Sequence, residues 1–290
     1  MIDYSSLSDI AAEADSLGLS FSELILKEQA EETGLTEDEI MSKMSDTLDV
    51  MISSAKEGLK PGKRSVSGLS GGDGVLLKSY ETTKKPLGGS FCTRAIMYAV
   101  AIAENNASMG KIVAAPTAGS CGILPAGVLT MMDLFGSTRT EACLALVSAG
   151  AIGMVISNIA TISGAMGGCQ AECGSASAMT AAALTEMAGG TSNMMLNACA
   201  ISLKNQLGLV CDPVAGLVEV PCIKRNAGGV MNAICAADMA LAGIESVIPA
   251  DEVITAMKEV GDCMPSTLRE TGLGGLAATE TAMKIAGKLT

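Results

Sequence analysis

The chain has 290 residues and a net charge of −12. That balance excludes nucleic acid and anionic membrane surfaces as partners, because Lys and Arg contacts to phosphate drive such binding. It has no His, and so lacks the usual general base near neutral pH and the commonest nitrogen ligand for metals.

A Ser-His-Asp triad and histidine-rich zinc sites are therefore excluded, and any metal is held by thiolate or carboxylate. Apolar residues make up 49% of the chain, yet it has only three Tyr, three Phe and no Trp. A core built from Ala, Val, Ile, Leu, Met and Gly favours closely packed helices. Met1-Ile2-Asp3-Tyr4 starts with an acid and lacks the basic and apolar regions of an export peptide, which makes the cytoplasm the expected location. Disulfides are rare there, so ten Cys point to core thiols, metal or redox chemistry.

The first 60 residues read as polar, well-capped helices. Ser20-Phe21-Ser22-Glu23 is a capping box with Leu19 and Leu24 as its staple, and Gly34 is a stop. Thr36-Glu37-Asp38-Glu39 is a second box, after which Ile40, Met44, Leu48, Met51, Ile52 and Ala55 recur at helical spacing until Gly58. Residues 61–90 carry Pro61-Gly62, Ser67-Gly68, Ser70-Gly71-Gly72-Asp73-Gly74 and Pro86-Leu87-Gly88-Gly89, which predict an irregular stretch.

From Phe91 onward the chain reads as dense, small-residue helix. Residues 142–171, 173–185 and 187–203 hold no charge, and they satisfy the length rule for membrane spans. They are rich in Gly, Ala, Ser, Thr and Asn, with no aromatic belt and no Lys/Arg cluster to set an orientation. The buried centre of a large protein accounts for them better, and a membrane transporter is the alternative from another class. A helix is expected from Pro249 to Gly261 and another from about Ala277 to Leu289, with Arg269–Gly275 as a tight loop between. Alternation of strand type is limited to Val218-Glu219-Val220. The expected architecture is all-α: one catalytic domain over 1–290, its N-terminal helices packed on a 91–290 core, with irregular glycine-rich loops at the site.

Cys211 and Cys222 flank a segment with two prolines and a glycine, a loop able to bring two thiols to one point. Gly167-Gly168-Cys169-Gln170 places a third Cys in a glycine-flexed turn. By composition alone, three buried thiols explain these residues at least as well as a metal site does.

The wider signature is more specific. Cys211-Asp212-Pro213-Val214-Ala215-Gly216-Leu217-Val218-Glu219-Val220-Pro221-Cys222-Ile223-Lys224-Arg225-Asn226 closely resembles the cluster-binding segment of iron–sulfur L-serine dehydratases. Pro116-Thr117-Ala118-Gly119-Ser120-Cys121-Gly122-Ile123-Leu124-Pro125 resembles a second motif of that family, and Ser163-Gly164-Ala165 with Gly168-Cys169-Gln170 a third. The resemblance covers essentially the whole chain and is to the α chain of the two-chain form. Many members carry Asn where Ala118 stands and Glu where Met166 stands, so no side-chain role carries over at either position.

The resemblance implies a 4Fe-4S cluster held by Cys169, Cys211 and Cys222 with one iron left open, a Lewis-acidic arrangement unlike the four-thiolate clusters of electron transfer. It implies β-elimination of water from L-serine to give pyruvate and ammonia. It also implies a β chain carrying a His-containing motif, from which the base is expected. Within this chain Glu172, Glu219 and Lys224 are the fallback bases. Arg225, with Thr117, Ser120 and Ser67, is expected to bind substrate, Arg being suited to bidentate carboxylate binding.

Cys173 shares a helix face with Cys169, a spacing open to a zinc pair. Cys121 is expected to pack beside the site, and Cys92, Cys143, Cys199 and Cys235 in the core, with Cys263 as a spare ligand near a turn. A related cluster enzyme acting on L-cysteine is a second possible activity. Pyridoxal phosphate enzymes perform the same elimination, but their alternation of strands and helices is missing, and Lys84 and Lys85 sit in a polar loop.

Overall fold

The computed structural model describes residues 5–289, so Met1-Ile2-Asp3-Tyr4 lie outside the described residues. The first helix, α1 (Leu7–Leu17), is held at its head by a distant acid: the Leu7 amide donates to the Asp251 carboxylate at 2.7 Å. Reciprocal capping boxes open α2 (Phe21–Thr33) at Ser20 and Glu23 and α3 (Glu37–Gly58) at Thr36 and Glu39, where the sequence places them. These helices are polar outside only, for Phe21, Leu24, Leu48 and Met51 are buried against the rest of the fold.

The stretch 61–90, expected to be irregular, contains an 11-residue helix, α4 (Asp73–Thr83). Its N-terminus is capped from another helix. The buried Glu104 accepts the Asp73 amide at 2.9 Å and the Gly74 amide at 3.1 Å. Orphan amides and the positive helix end favour an acid there, and one 30 residues away carries no local signal.

Glu104 belongs to α5 (Gly89–Ala107), which is followed by α6 (Ile123–Phe135), α7 (Arg139–Ile159) and a four-residue turn, α8 (Gly164–Gly167). A π turn over Gln170–Gly174 leads into α9 (Ser175–Met187), followed by α10 (Ser192–Lys204), α11 (Cys222–Leu241), α12 (Ala250–Cys263) and α13 (Glu280–Leu289). The charge-free run 142–171 is thus not one helix: it breaks after Ile159 and restarts in short turns. No strand forms among the described residues, and Val218-Glu219-Val220 is a bend and turn, not strand. An isolated parallel bridge joins Cys211 to Arg269.

At the centre lies α9, packed against α6, α7, α10 and α11. Residues 175–185 are all buried. Their small side chains let neighbours approach closely: a Cβ on Gly127 of α6 would lie 2.7 Å from Thr180. The buried hydroxyls are satisfied locally, Thr180 donating to the Ala176 carbonyl at 2.6 Å and Thr185 to that of Ala181 at 2.8 Å. Arg139–Ile159 is long and apolar enough to cross a membrane, but 67% of its apolar window is buried inside the fold, against α2, α3 and α9.

Candidate active site

Segments distant in sequence meet at one end of α9. Cys169 stands just before the π turn, and its neighbour Gln170 fixes it there. The Gln170 amide donates to Leu209 O (2.9 Å), its side-chain Nε2 donates to Met257 O (2.9 Å), and its Oε1 accepts from the Gly208 amide (2.9 Å). Gly168 sits at φ +74°, where a Cβ would lie 2.6 Å from Met264 Sδ; only glycine fits this turn.

The segment carrying Cys211 is held from both sides. Its amide donates to Leu268 O at 2.8 Å, and its carbonyl accepts from the Glu270 amide at 2.7 Å. Cys222 opens α11, one turn before Asn226. Asn226 is fully buried; its Oδ1 accepts the Gly122 amide at 2.8 Å, and its Nδ2 donates to Gly119 O at 2.7 Å and Cys222 O at 2.9 Å. One side chain thus ties the turn of residues 116–122 to the helix that carries Cys222.

The thiols sense one another. Burial, then the negative charges at Cys169, Glu172, Glu270 and Cys222, push the Cys211 thiol far up. Burial chiefly, then Cys169, pushes Cys222 up to about 12. Cys169 moves the other way: its sulfur lies 3.3 Å from that of Cys173, and this hydrogen bond, aided by the Arg225 charge, lowers it against burial. Glu172 lies between two motifs. An added Cβ on Gly164 would be 2.7 Å from its Oε2 and 3.2 Å from Cys211 Sγ, and one on Gly119 would be 3.5 Å from Oε2. Burial raises the Glu172 carboxyl, partly offset by a hydrogen bond from Thr117.

The remaining expected residues fall into place differently. Arg225 points inward, donating to Val210 O at 2.7 Å and to Asp212 at 2.8 Å. Asp212 also accepts the Leu276 amide at 2.7 Å, so it pins the loop 268–276 over the Cys211 segment. Ser120 is buried, with its hydroxyl 3.2 Å from that of Thr117. Ser67 is committed to Glu219, which accepts from Ser67 at 2.7 Å and from Ser70 at 2.6 Å. Lys224 pairs with Asp73 at the surface.

Of the fallback bases, then, Glu172 sits among the thiols, whereas Glu219 and Lys224 have other partners. Cys121, Cys143 and Cys199 are buried in the main core. Cys235 is exposed and Cys92 only half-buried, against the expectation of core packing, because both lie on outward faces of their helices; Cys263 is exposed.

Cys211 and Cys222, raised by burial and by the charges beside them, would be held as thiolates beside Cys169 by a cation. Among the described residues no three Cys, Asp or Glu side chains lie close enough to hold one metal ion. Three thiols are a soft donor set, the kind that a sulfide-bridged iron group would require.

Asp212 is the strongest structural element of the site. It is 3% exposed beside an Arg225 side chain that is 17% exposed. Removing one partner of a buried pair strands the other charge, so Asp212→Ala is expected to cost about 3–5 kcal/mol. The test is the denaturant midpoint, with Asp212→Asn, which keeps a hydrogen-bond acceptor but still strands the Arg225 charge, falling between Asp212→Ala and the unaltered chain. An unchanged midpoint for Asp212→Ala would contradict this account.

Comparison with known proteins bears on the same segments. The chain is 52% identical over 268 residues to the probable L-serine dehydratase, alpha chain, of Bacillus subtilis, covering 92% of this chain and 89% of that one. It is 49% identical over 270 residues to the L-serine dehydratase, alpha chain, of Peptoniphilus asaccharolyticus, covering 92% of each. It is 40% identical over 267 residues to the L-serine dehydratase of Streptomyces coelicolor, where the match takes in 90% of this chain and 57% of that longer protein. Residues 16–277 match the family described as serine dehydratase alpha chain, a span that includes every segment meeting at the thiols, and the chain belongs to that family.

Proposed function

We propose that this chain is the α chain of a cytoplasmic iron–sulfur L-serine dehydratase, eliminating water from L-serine to give pyruvate and ammonia. In this reading Cys169, Cys211 and Cys222 hold a 4Fe-4S cluster. The observation that carries it is the meeting of three thiols from distant segments, close enough that charge at Cys169 reaches both Cys211 and Cys222. When bound, a cluster with one iron free of thiolate supplies a Lewis acid for the serine β-hydroxyl.

The chain's own residues do the rest of the binding. Glu172, when ionised, offers a carboxylate to the substrate ammonium, and the Thr117 hydroxyl orients that carboxylate. Arg225 supplies the positive charge that favours thiolate at Cys169. Because it is already committed to Val210 and Asp212, it acts through the site's field more than as a free carboxylate clamp.

Removal of the α-proton falls to a β chain. Two fallback bases are engaged elsewhere, and Streptomyces coelicolor L-serine dehydratase carries further sequence beyond the part this chain matches. A cavity of about 630 Å³ near this site, lined by Val66, Ser67, Met109, Ala118, Val218 and Leu289, suits such a partner. Val66 is 79% exposed and Met109 81%, and large exposed apolar side chains mark contact surfaces. Glu172 is the second reading for the base, favoured by its burial.

The test is anaerobic loading with iron and sulfide in the presence of the partner chain, then pyruvate assay with L-serine and with L-cysteine. Pyruvate from serine is the expected outcome. A cluster-loaded complex inert toward serine overturns the reading, and preference for cysteine with release of sulfide shifts it to a desulfidase.

A further inference from the structure

Cys173 has no role in the ligand set, yet its sulfur lies directly against that of Cys169. Its Sγ lies 3.3 Å from that of Cys169, inside the range of an S–H···S hydrogen bond. The contact is built by the backbone. Between the two residues the chain runs as a π turn, Gln170–Gly174, a rare insertion that recurs at functional sites. It stacks the fourth residue along beside the first.

Around them lies a wall of small and apolar side chains that includes Ala95, Ala99, Ala176 and Ile123. Cys173 is 2% exposed and Cys169 3%, so no water competes for the contact. Once Cys169 is a ligand its sulfur carries no proton, so the hydrogen in this 3.3 Å contact can come only from the Cys173 thiol.

We propose that Cys173 is a positioning residue that donates its thiol hydrogen to the sulfur of Cys169, and so tunes the reduction potential and air stability of the group those thiols hold. The inference rests on the cluster reading above. A donor to a ligating sulfur withdraws electron density from it and stabilises the reduced state. Among the described residues no side chain donates to the sulfur of Cys211 or Cys222 as Cys173 does to that of Cys169, so the three ligands would be unequal, with Cys169 the least electron-rich.

The experiment compares the unaltered full chain with Cys173→Ala and Cys173→Ser after anaerobic loading with iron and sulfide. Iron per chain, the midpoint potential and the decay of the visible band in air are read for each. All three proteins are expected to take up the same iron. Cys173→Ala is expected to have a more negative potential and to bleach several-fold faster, while Cys173→Ser, whose hydroxyl still donates, stays with the unaltered chain.

A Cys173→Ala protein with unchanged potential and bleaching overturns the inference. Loss of iron in both variants also overturns it, by making Cys173 a ligand. Failure of the unaltered chain to take up iron sinks the cluster reading itself, and this inference with it.

Discussion

Cys169→Ser, Cys211→Ser and Cys222→Ser are each expected to give a folded chain that holds no cluster and, with the β-type partner present, forms no pyruvate, whereas Cys143→Ser keeps the cluster and, with the partner, pyruvate formation. A serine hydroxyl is a harder and far weaker acid than a thiol, and it does not replace thiolate at iron in a site already crowded with negative charge. Two remaining thiols would offer too few soft donors to hold the group. The fold should survive, because the backbone around each cysteine is held by other residues: Gln170 for Cys169, Leu268 and Glu270 for Cys211, Asn226 for Cys222. Cys143 lies in the main core, remote from these segments, and a lone hydroxyl there costs stability but no metal. Iron and acid-labile sulfide per chain, with circular dichroism as the check on folding, decide the matter. Iron retained by Cys211→Ser and lost by Cys143→Ser would falsify the ligand assignment.

The second large effect concerns the missing histidine. The cluster-loaded chain alone is expected to turn over L-serine slowly or not at all, and a β-type partner to restore the rate. Even with a bound cluster to polarise the leaving hydroxyl, the α-proton would still need a base, and general base catalysis contributes about 10²–10⁴-fold. Pyruvate release is measured with and without the partner, at equal iron content. Full activity without the partner moves the base onto this chain, and the site then points to Glu172. In that event Glu172→Gln abolishes turnover, while Glu219→Gln and Lys224→Ala retain it, since Glu219 is engaged by Ser67 and Ser70 and Lys224 by Asp73.

Much of this was legible in the sequence where the signal is local. The capping boxes at Ser20 and Thr36 and the stop at Gly34 lie as read, because the groups that satisfy one another are three or four residues apart. The box at Thr138 and Glu141 that opens α7 carries the same signal. What escaped is built over distance. The helix Asp73–Thr83 depends on Glu104, and the turn of residues 116–122 on Asn226. The loop 268–276 depends on Asp212, which reads in the sequence as one more acid beside a cysteine. Ser67 illustrates the converse: a hydroxyl in a glycine-rich loop is a fair substrate ligand on paper, but the carboxylate it meets belongs to Glu219.

The backbone partners of Cys211 carry a consequence for the order of assembly. Both come from the segment Leu268–Glu270, near the far end of the chain. A nascent polypeptide shorter than this can form the α9 bundle from local and medium-range contacts, yet the amide and carbonyl of Cys211 lack their partners. Pairings of long sequence separation are entropically delayed in any case. The Cys211 backbone therefore takes up its described hydrogen bonds only once the segment Leu268–Glu270 has joined it.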